Sequence, residues 1–388
     1  MRQATKKDIS ALIKSPENSR AISIFLPTHR LSLPHNLRAD RVRMKNAIRD
    51  VVAKLETEKV SAEAIKKYVS QLHKLRDDAS FWKYRDNGLA IYVKSGDMTY
   101  YDLPIEIEYS VHVGNNYIIS PLLASNQDSY QYCVLELNNH EPRAFHATQA
   151  GIERILHDEL PGELETALRI DEYQQRQQHS TSPGGSHDAH GHGHGGAKDN
   201  KHKDVIKYYR MIDKSLWENM LKTSNLSLVL VGDESSVALY KKLSKYKHIN
   251  NKEIHGNYSR ETPANILMLT WSIIVERIDA EQTLFQKMFD RAKHRDSMQA
   301  LVSGAHIRKA AKQGRVATLG ISILQKTYDS VVRRMEQRFK IALPSSKRQL
   351  QNIEQAARDV FQAGGEIQSL LRSDSLANNA QYVKAITR

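Results

Sequence analysis

The chain has 388 residues, 40% of them hydrophobic, and carries 57 Lys/Arg against 44 Asp/Glu for a net charge of +13. That length supports two or three domains, each with its own core, and no apolar run reaches the roughly 18 residues of a membrane span. The N-terminal stretch is basic without an apolar signal core, which argues against a secretion signal.

The charge is unevenly spread. Residues 1–85 hold 19 Lys/Arg and 9 Asp/Glu, residues 86–170 hold 4 and 13, residues 171–290 hold 16 and 15, and residues 291–388 hold 18 and 7. Two basic ends flank an acidic middle. Basic patches draw polyanions, most often nucleic acid, through counterion release. The one cysteine, Cys133, lies in the strand-like YQYCVLELN and cannot pair within the chain. It reads as a small buried apolar side chain, and a lone thiol suits a reducing, cytoplasmic setting.

In chain order, AISIFLPTHR (21–30) predicts a strand that stops at Pro27. LRADRVRMKNAIRDVVAKLETEKV predicts a helix with Leu37, Met44, Ile48, Val51 and Leu55 on one side. Arg38, Arg41, Lys45 and Arg49 step by three and four along another side, as a solvated face or as a contact surface. DNGLAIYVKSGDMTYYDLP predicts paired strands with turns at Asn87-Gly88 and Ser95-Gly96. IEIEYSVHVGNNYIISPLL continues strand-like to about Pro121 and closes a first α/β domain over 1–123.

A second unit opens with three successive strands in YQYCVLELN, EPRAFHATQAG and IERILHDEL. After a glycine- and histidine-rich tract, KDVIKYYRMIDKSLWENMLK predicts a helix with Val205, Tyr209, Ile212, Leu216 and Met220 on one face. LSLVLVGD (227–233 and its neighbours) predicts a buried strand and ESSVALYKKLSKY a helix, giving an α/β domain over 124–260. The third segment, 261–388, reads as an α/β sandwich. ANILMLTWSIIVERIDAEQTLFQKMFDRAKHR and SMQALVSGAHIRKAAKQGR predict helices, the second ending near Gly314; VATLGIS predicts a strand; YDSVVRRMEQRFK and KRQLQNIEQAARDVFQA predict helices; GEIQSLL and QYVKAITR predict strands.

Familiar catalytic patterns are absent. There is no G-x-x-x-x-G-K-[ST] phosphate loop, no G-x-G-x-x-G after a strand, no G-x-S-x-G elbow and no H-E-x-x-H. GDESS (232–236) follows a strand and opens a helix, but Asp233 and Glu234 would repel a phosphate, so helix capping by Asp233 or Ser235 is the expected role. Two-metal nuclease chemistry needs clustered carboxylates; Glu136 and Asp233 alone are scattered acids on or just after strands.

The tract TSPGGSHDAHGHGHGGAKDN, Thr181–Asn200, contains two Gly-Gly pairs and no large apolar residue. His187, His190, His192 and His194 are good ligand types, but alternation with glycine fixes no geometry and supplies no supporting hydrogen bonds, so no metal site is predicted. A loop this long inside a compact domain is either disordered or functional.

SIFLPTHR with its Arg-rich helix, FWKYRDNGLAIYV, GNNYIISPLL, GGAKDNKHKDVIKYYRMIDKSLW and GRVATLGIS, in that order, resemble landmarks of the bacterial archaeo-eukaryotic release factor families, family three in particular. The resemblance covers essentially the whole chain. It implies the three-domain Pelota and release-factor architecture, with a ribonuclease-H-like middle domain and an α/β sandwich C-terminal domain. It also implies a Gly-Gly-Gln loop on the middle domain's strand–helix connection. This sequence has Gly184-Gly185-Ser186 and Gly195-Gly196-Ala197 there instead, without the glutamine.

The resemblance therefore implies a ribosome binder that is not an enzyme, with no catalytic residue, no cofactor and no metal. It suggests a Balon-type hibernation factor in the A site, with a Pelota-like rescue factor as the alternative. Its implied rRNA contacts are Pro27, Thr28, His29, Arg30, Arg38, Arg41, Lys45 and Arg49 towards the decoding centre. Towards the peptidyl transferase centre they are Gly184, Gly185, Ser186, His187, His190, His192, His194, Gly195, Gly196, Lys198 and Lys201. The implied partners are the 70S ribosome, through 16S and 23S rRNA, and a translational GTPase such as elongation factor Tu at the C-terminal domain. The protein itself is expected to be a monomer without a membrane partner.

Overall fold

The computed structural model describes residues 4–14, 20–29, 34–83, 85–94, 96–125, 131–138, 140–149, 151–156, 159–168, 194–327, 337–373 and 382–388. The chain divides into two compact units, Gln131–Ile273 and a unit built from Met1–Tyr130 together with Ile274–Arg388. The sequence pattern predicts three segments, with limits at 123 and 260.

The first part of the larger unit runs α1 (Lys6–Ile13), β1 (Ala21–Pro27), α2 (Pro34–Thr57), α3 (Ala62–Asp77), α4 (Ala79–Lys83), β2 (Gly88–Lys94), β3 (Asp97–Leu103), β4 (Glu106–Ile107), β5 (Ser110–Gly114) and α5 (Ser120–Ser125). Thr5 and Asp8 form a capping box that starts α1. Strands pair in the order β3-β2-β1-β5, and both neighbours of β1 run antiparallel to it, with Ile24 opposite Ile91 and Val111. The period of two sends Ile22, Ile24 and Leu26 to one face. There they pack with Met44, Val51 and Leu55 of α2 and Leu72 of α3, all buried.

Helix α3 was not anticipated, although Ile65, Tyr68, Val69, Leu72 and Leu75 recur at helical spacing and are buried. Nor did α5 follow the strand-like expectation for IEIEYSVHVGNNYIISPLL. The amides of Ile119 and Ser120 donate to the Glu354 carboxylate at 2.7 and 3.0 Å, a cap supplied from 235 residues away that local sequence does not reveal.

The smaller unit holds β6 (Gln131–Leu137), β7 (Arg143–Thr148), β8 (Gly151–Ile155), α6 (Leu164–Leu168), α7 (His194–Asn219), β9 (Ser227–Gly232), α8 (Glu234–Leu243) and β10 (Ile254–His255). Its sheet has the order β10-β9-β6-β7-β8. Strands β6, β7 and β8 form an antiparallel meander, while β9 and β10 add in parallel on the other edge of β6. That is the arrangement expected of the ribonuclease-H-like middle domain. Helix α7 buries Tyr208, Tyr209, Ile212 and Leu216 against Leu135, Leu228 and Leu230.

The remainder of the chain runs α9 (Pro263–Arg295), β11 (Ala300–Leu301), α10 (Gly304–Lys312), β12 (Val316–Thr327), β13 (Gln337–Ile341), α11 (Lys347–Gln362), β14 (Glu366–Ser373) and β15 (Val383–Thr387). Strands pair β11-β15-β12-β13-β4, with β14 also on β12. Helix α10 is capped at Gln313 and followed by Gly314, whose φ of +66° suits a residue without Cβ. At Gly320 on β12 a Cβ would stand 2.3 Å from Leu370 Cδ1, so a larger residue there would displace the Leu370 side chain that packs over it.

Two expectations in this region are corrected. The helix expected over SMQALVSGAHIRKAAKQGR is confined to α10, because Ala300 and Leu301 pair with β15 instead. The helix expected over YDSVVRRMEQRFK gives way to β13 from Gln337 onwards. There Lys340 is opposite Leu324 on one side and Glu106 on the other, and two-sided pairing outweighs a helical pattern. Residues 328–336 lie outside the described residues.

The pairing of β13 with β4 also shows why the first and third segments form one unit. They share a sheet, and α11 reaches the loop before α5. Glu354 there accepts the two amides, and Arg358 donates to the Tyr117 carbonyl. Burial pushes the Glu354 carboxyl up, while bonds from Ser120 and Ile119 and the nearby Arg358 pull it back.

Candidate nucleic-acid interface

Helix α2 buries its apolar side against β1 and leaves Arg38, Arg41, Lys45 and Arg49 exposed. Three of the four line an open groove of about 590 Å³ together with Arg76 from α3, over an apolar floor of Pro34, Leu37 and Val42. Arg49, one turn beyond, does not line it. Its side chain is 78% exposed and lies 4.0 Å from Asp50.

The groove wall is fixed by one carbonyl. The oxygen of Arg76 accepts from the indole Nε1 of Trp82 at 3.1 Å and from Arg41 Nε at 3.2 Å. Trp82 on α4 is buried and also caps α3 at Leu75. The Arg76 guanidinium grips Asp77 through two bonds at 2.8 and 2.7 Å. That bond lowers the Asp77 carboxyl and raises the Arg76 guanidinium. Neither Arg38 nor Lys45 is paired with a carboxylate among the described residues.

A second cluster stands at the end of β1. Arg43 of α2 donates to the Pro27 carbonyl at 3.5 Å. Thr28 is buried and its hydroxyl donates to the Asp86 carbonyl at 2.7 Å, a structural bond that withdraws it from ligand contact. The His29 amide donates to Asp40 Oδ2 at 3.1 Å, its ring Nδ1 meets Asp40 Oδ1 at 2.8 Å, and Arg43 donates to the same Oδ1 at 2.7 Å. With Nδ1 engaged, Nε2 is the imidazole edge left for solvent or ligand. The His29 side chain is 37% exposed and Asp40 is fully buried. Arg30 lies outside the described residues.

The sequence reading missed Asp40, Arg43 and Arg76. Asp40 had a signal: it falls three residues after Leu37 and four before Met44, on the apolar side of the helix. A carboxylate at such a position must be paired or hydrogen-bonded.

Of the tract, residues 181–193, and with them Gly184, Gly185, Ser186, His187, His190 and His192, lie outside the described residues. The backbone of His194, Gly195, Gly196, Lys198 and Lys201 is the first part of α7, so the helix begins before Lys203, where the sequence reading had placed its start.

The acids weighed for metal chemistry have structural partners. Glu136 is buried and ion-paired with Arg143, which also donates to the carbonyls of Tyr258 and Glu261. Asp233 caps α8 through the Ser236 amide at 2.9 Å, as expected. Among the described residues no group of three or more His, Cys, Asp or Glu is placed to hold a metal ion. Cys133 is buried beside Met220, and burial pushes its thiol up to about 12. No helix among the described residues is long and apolar enough to cross a membrane.

Residues 132–276 match the model of bacterial archaeo-eukaryotic release factor family 7. The match spans less than half of the chain: within it, residues 132–276 are similar to the bacterial archaeo-eukaryotic release factors, and the matching family is 7 where the resemblance pointed to family three. No curated protein matches the sequence. Similar solved structures include Saccharomyces cerevisiae Dom34, a translation termination-like factor interacting with Hbs1, at 13% identity over 75% of this chain and 72% of that one, with a TM-score of 0.40. Archaeal Pelota, from a model of the ribosome-bound protein with ABCE1, aligns at 12% identity over 100% and 95% of the two chains, with a TM-score of 0.40. The archaeal termination factor aRF1 aligns at 11% over 100% and 99%, with a TM-score of 0.25.

Proposed function

We propose that this protein binds the bacterial ribosome in the A site as a hibernation factor, reaching from the decoding centre to the peptidyl transferase centre without releasing peptide. The observation that carries this is the groove of Arg38, Arg41, Lys45 and Arg76 over an apolar floor, on a chain whose middle unit matches a release-factor family. Guanidinium groups fork onto phosphates and stack on unpaired bases, and an apolar floor beneath them suits a base face. At the end of β1, Asp40 engages Nδ1 of His29 and leaves Nε2 as a further polar contact point.

Absence of chemistry follows from residue types. Neither Gly184-Gly185 nor Gly195-Gly196 is followed by glutamine; Ser186 and Ala197 stand there, so the side chain that would position a water in a Gly-Gly-Gln motif is missing. A translational GTPase, elongation factor Tu being the candidate, is assigned to the C-terminal segment.

The test is co-sedimentation of the full chain with 70S ribosomes across a salt series, beside a peptidyl-tRNA hydrolysis assay. Expected are association that weakens steeply with salt and no release of peptide. Salt-independent association, or none, overturns the binding claim. Measurable release overturns the claim of inactivity. A pull-down that recovers ribosomes but never a GTPase removes the GTPase partner.

A further inference from the structure

Helix α7 presents a second cationic surface. Lys203, Lys207, Arg210, Lys214 and Trp217 alternate in steps of four and three. At 100° per residue that spacing holds all five within an arc of about 80°. The opposite side of the helix holds the buried Tyr209, Ile212 and Leu216, so the five project away from the core. All five are exposed, and the stripe extends for about 21 Å along the axis.

Its charges are loosely held. Lys207 and Lys214 approach Asp204 and Glu218 at 3.7 and 3.9 Å while remaining 60% and 73% exposed. Such pairs contribute little and leave the ammonium groups available. Lys203 and Arg210 have no ion-pair partner among the described residues. Trp217 is 46% exposed, whereas Trp82 and Trp271 are buried at 1% and 6%. An indole left in water at the end of a cationic row has a face to offer.

We infer that this face of α7 is a binding site for single-stranded RNA: the four cations follow the phosphate backbone and Trp217 stacks on one unpaired base. The inference deepens the ribosome reading above and rests on it for the source of the RNA. Charge complementarity names a polyanion, and the indole selects one that carries aromatic rings. A lipid surface fits poorly, because the apolar side of α7 is already buried and the stripe has no second large apolar residue to insert.

The test uses the full chain with Arg38, Arg41 and Lys45 changed to alanine, so that the groove is silent, and an unstructured RNA 12-mer. Three readouts are taken: fluorescence anisotropy of the RNA, quenching of tryptophan fluorescence, and the salt dependence of affinity. Expected is quenching that disappears in Trp217→Phe only in amplitude and in Trp217→Ala together with a loss of affinity of about tenfold. Lys207→Gln with Lys214→Gln lowers the slope of log affinity against log salt by about 1.4, two cations at roughly 0.7 each for single strands. Binding without quenching, an unchanged slope in the double variant, or equal competition by polyglutamate overturns the inference. Ribosome co-sedimentation of the groove-intact chain, with and without the α7 substitutions, separates the two claims. Oligomer binding without ribosome association sinks the A-site reading and leaves the RNA site standing. Ribosome association of the groove-intact chain that is indifferent to the three α7 substitutions, with no oligomer binding, sinks the RNA site alone.

Discussion

The groove beside α2 and the stripe on α7 carry similar charge by different means. In the groove, cations from two helices converge over Leu37 and Val42, and Arg41 and Arg76 are tied to a shared carbonyl or to Asp77. On α7 the cations stand in a single row on a convex surface, with ion pairs of 3.7 Å or longer. A preorganised concave site spends less conformational entropy on binding and can discriminate shape. A row of solvated lysines contributes salt-dependent affinity with little selectivity. The groove is therefore assigned the specific contact and the stripe a supporting one.

Reversing the groove is the largest perturbation. Arg38→Glu, Arg41→Glu and Lys45→Glu together are expected to lower ribosome affinity by about a hundredfold or more at moderate salt, read by sedimentation. Loss no greater than that of the α7 variants would erase the distinction between the two surfaces.

Acid is expected to weaken the sheet beneath the groove. Burial, with Lys54 nearby, lowers the His112 imidazole on β5 to about 4, and its Nε2 has no hydrogen-bond partner among the described residues. Between pH 6.5 and 4 the unfolded chain binds the proton more tightly than the folded one, so stability falls on acidification through that window. The loss is about 3 kcal/mol. Denaturant unfolding followed at pH 7 and pH 4.5 checks it; His112→Leu should flatten the dependence, and an unchanged dependence refutes the assignment.

Asp40→Ala removes the shared acceptor of His29 and Arg43 and is expected to cost about 2 kcal/mol of stability. It should also loosen His29 and lower ribosome affinity several-fold, whereas Asp40→Asn retains part of both. Affinity that survives in a folded Asp40→Ala chain would show that the His29 cluster is structural only.

The smallest effect is expected at Arg49, which shares the helix but not the groove. Arg49→Ala should change affinity less than twofold, against a larger loss for Arg38→Ala in the same assay. Equal losses would mean that total charge, not the groove, governs binding.

Much of this was legible in residue patterns and part was not. The strand at Ala21–Pro27, the helix of α2 and its Arg38, Arg41, Lys45, Arg49 series follow from alternation and helical spacing alone. Which of the four cations meet in a groove depends on α3 and α4, and the role of Trp82 as a clamp on the Arg76 carbonyl is a tertiary fact. The cap on α5 comes from Glu354 and the two-sided pairing of β13 from β12 and β4, partners far away in sequence. Asp40 and the 203–217 stripe, by contrast, were written in the spacing. An acid on an apolar side, and four cations and a tryptophan in 4-3-4-3 steps, are both readable once the helix is in view.

The most direct measurement is a cryo-EM map of the full chain bound to 70S ribosomes. The expected result is density in the A site with the α2–α3 groove against small-subunit rRNA at the decoding centre and the Gln131–Ile273 unit directed to the peptidyl transferase centre. A chain bound elsewhere, or one in the A site whose groove faces solvent, would contradict it.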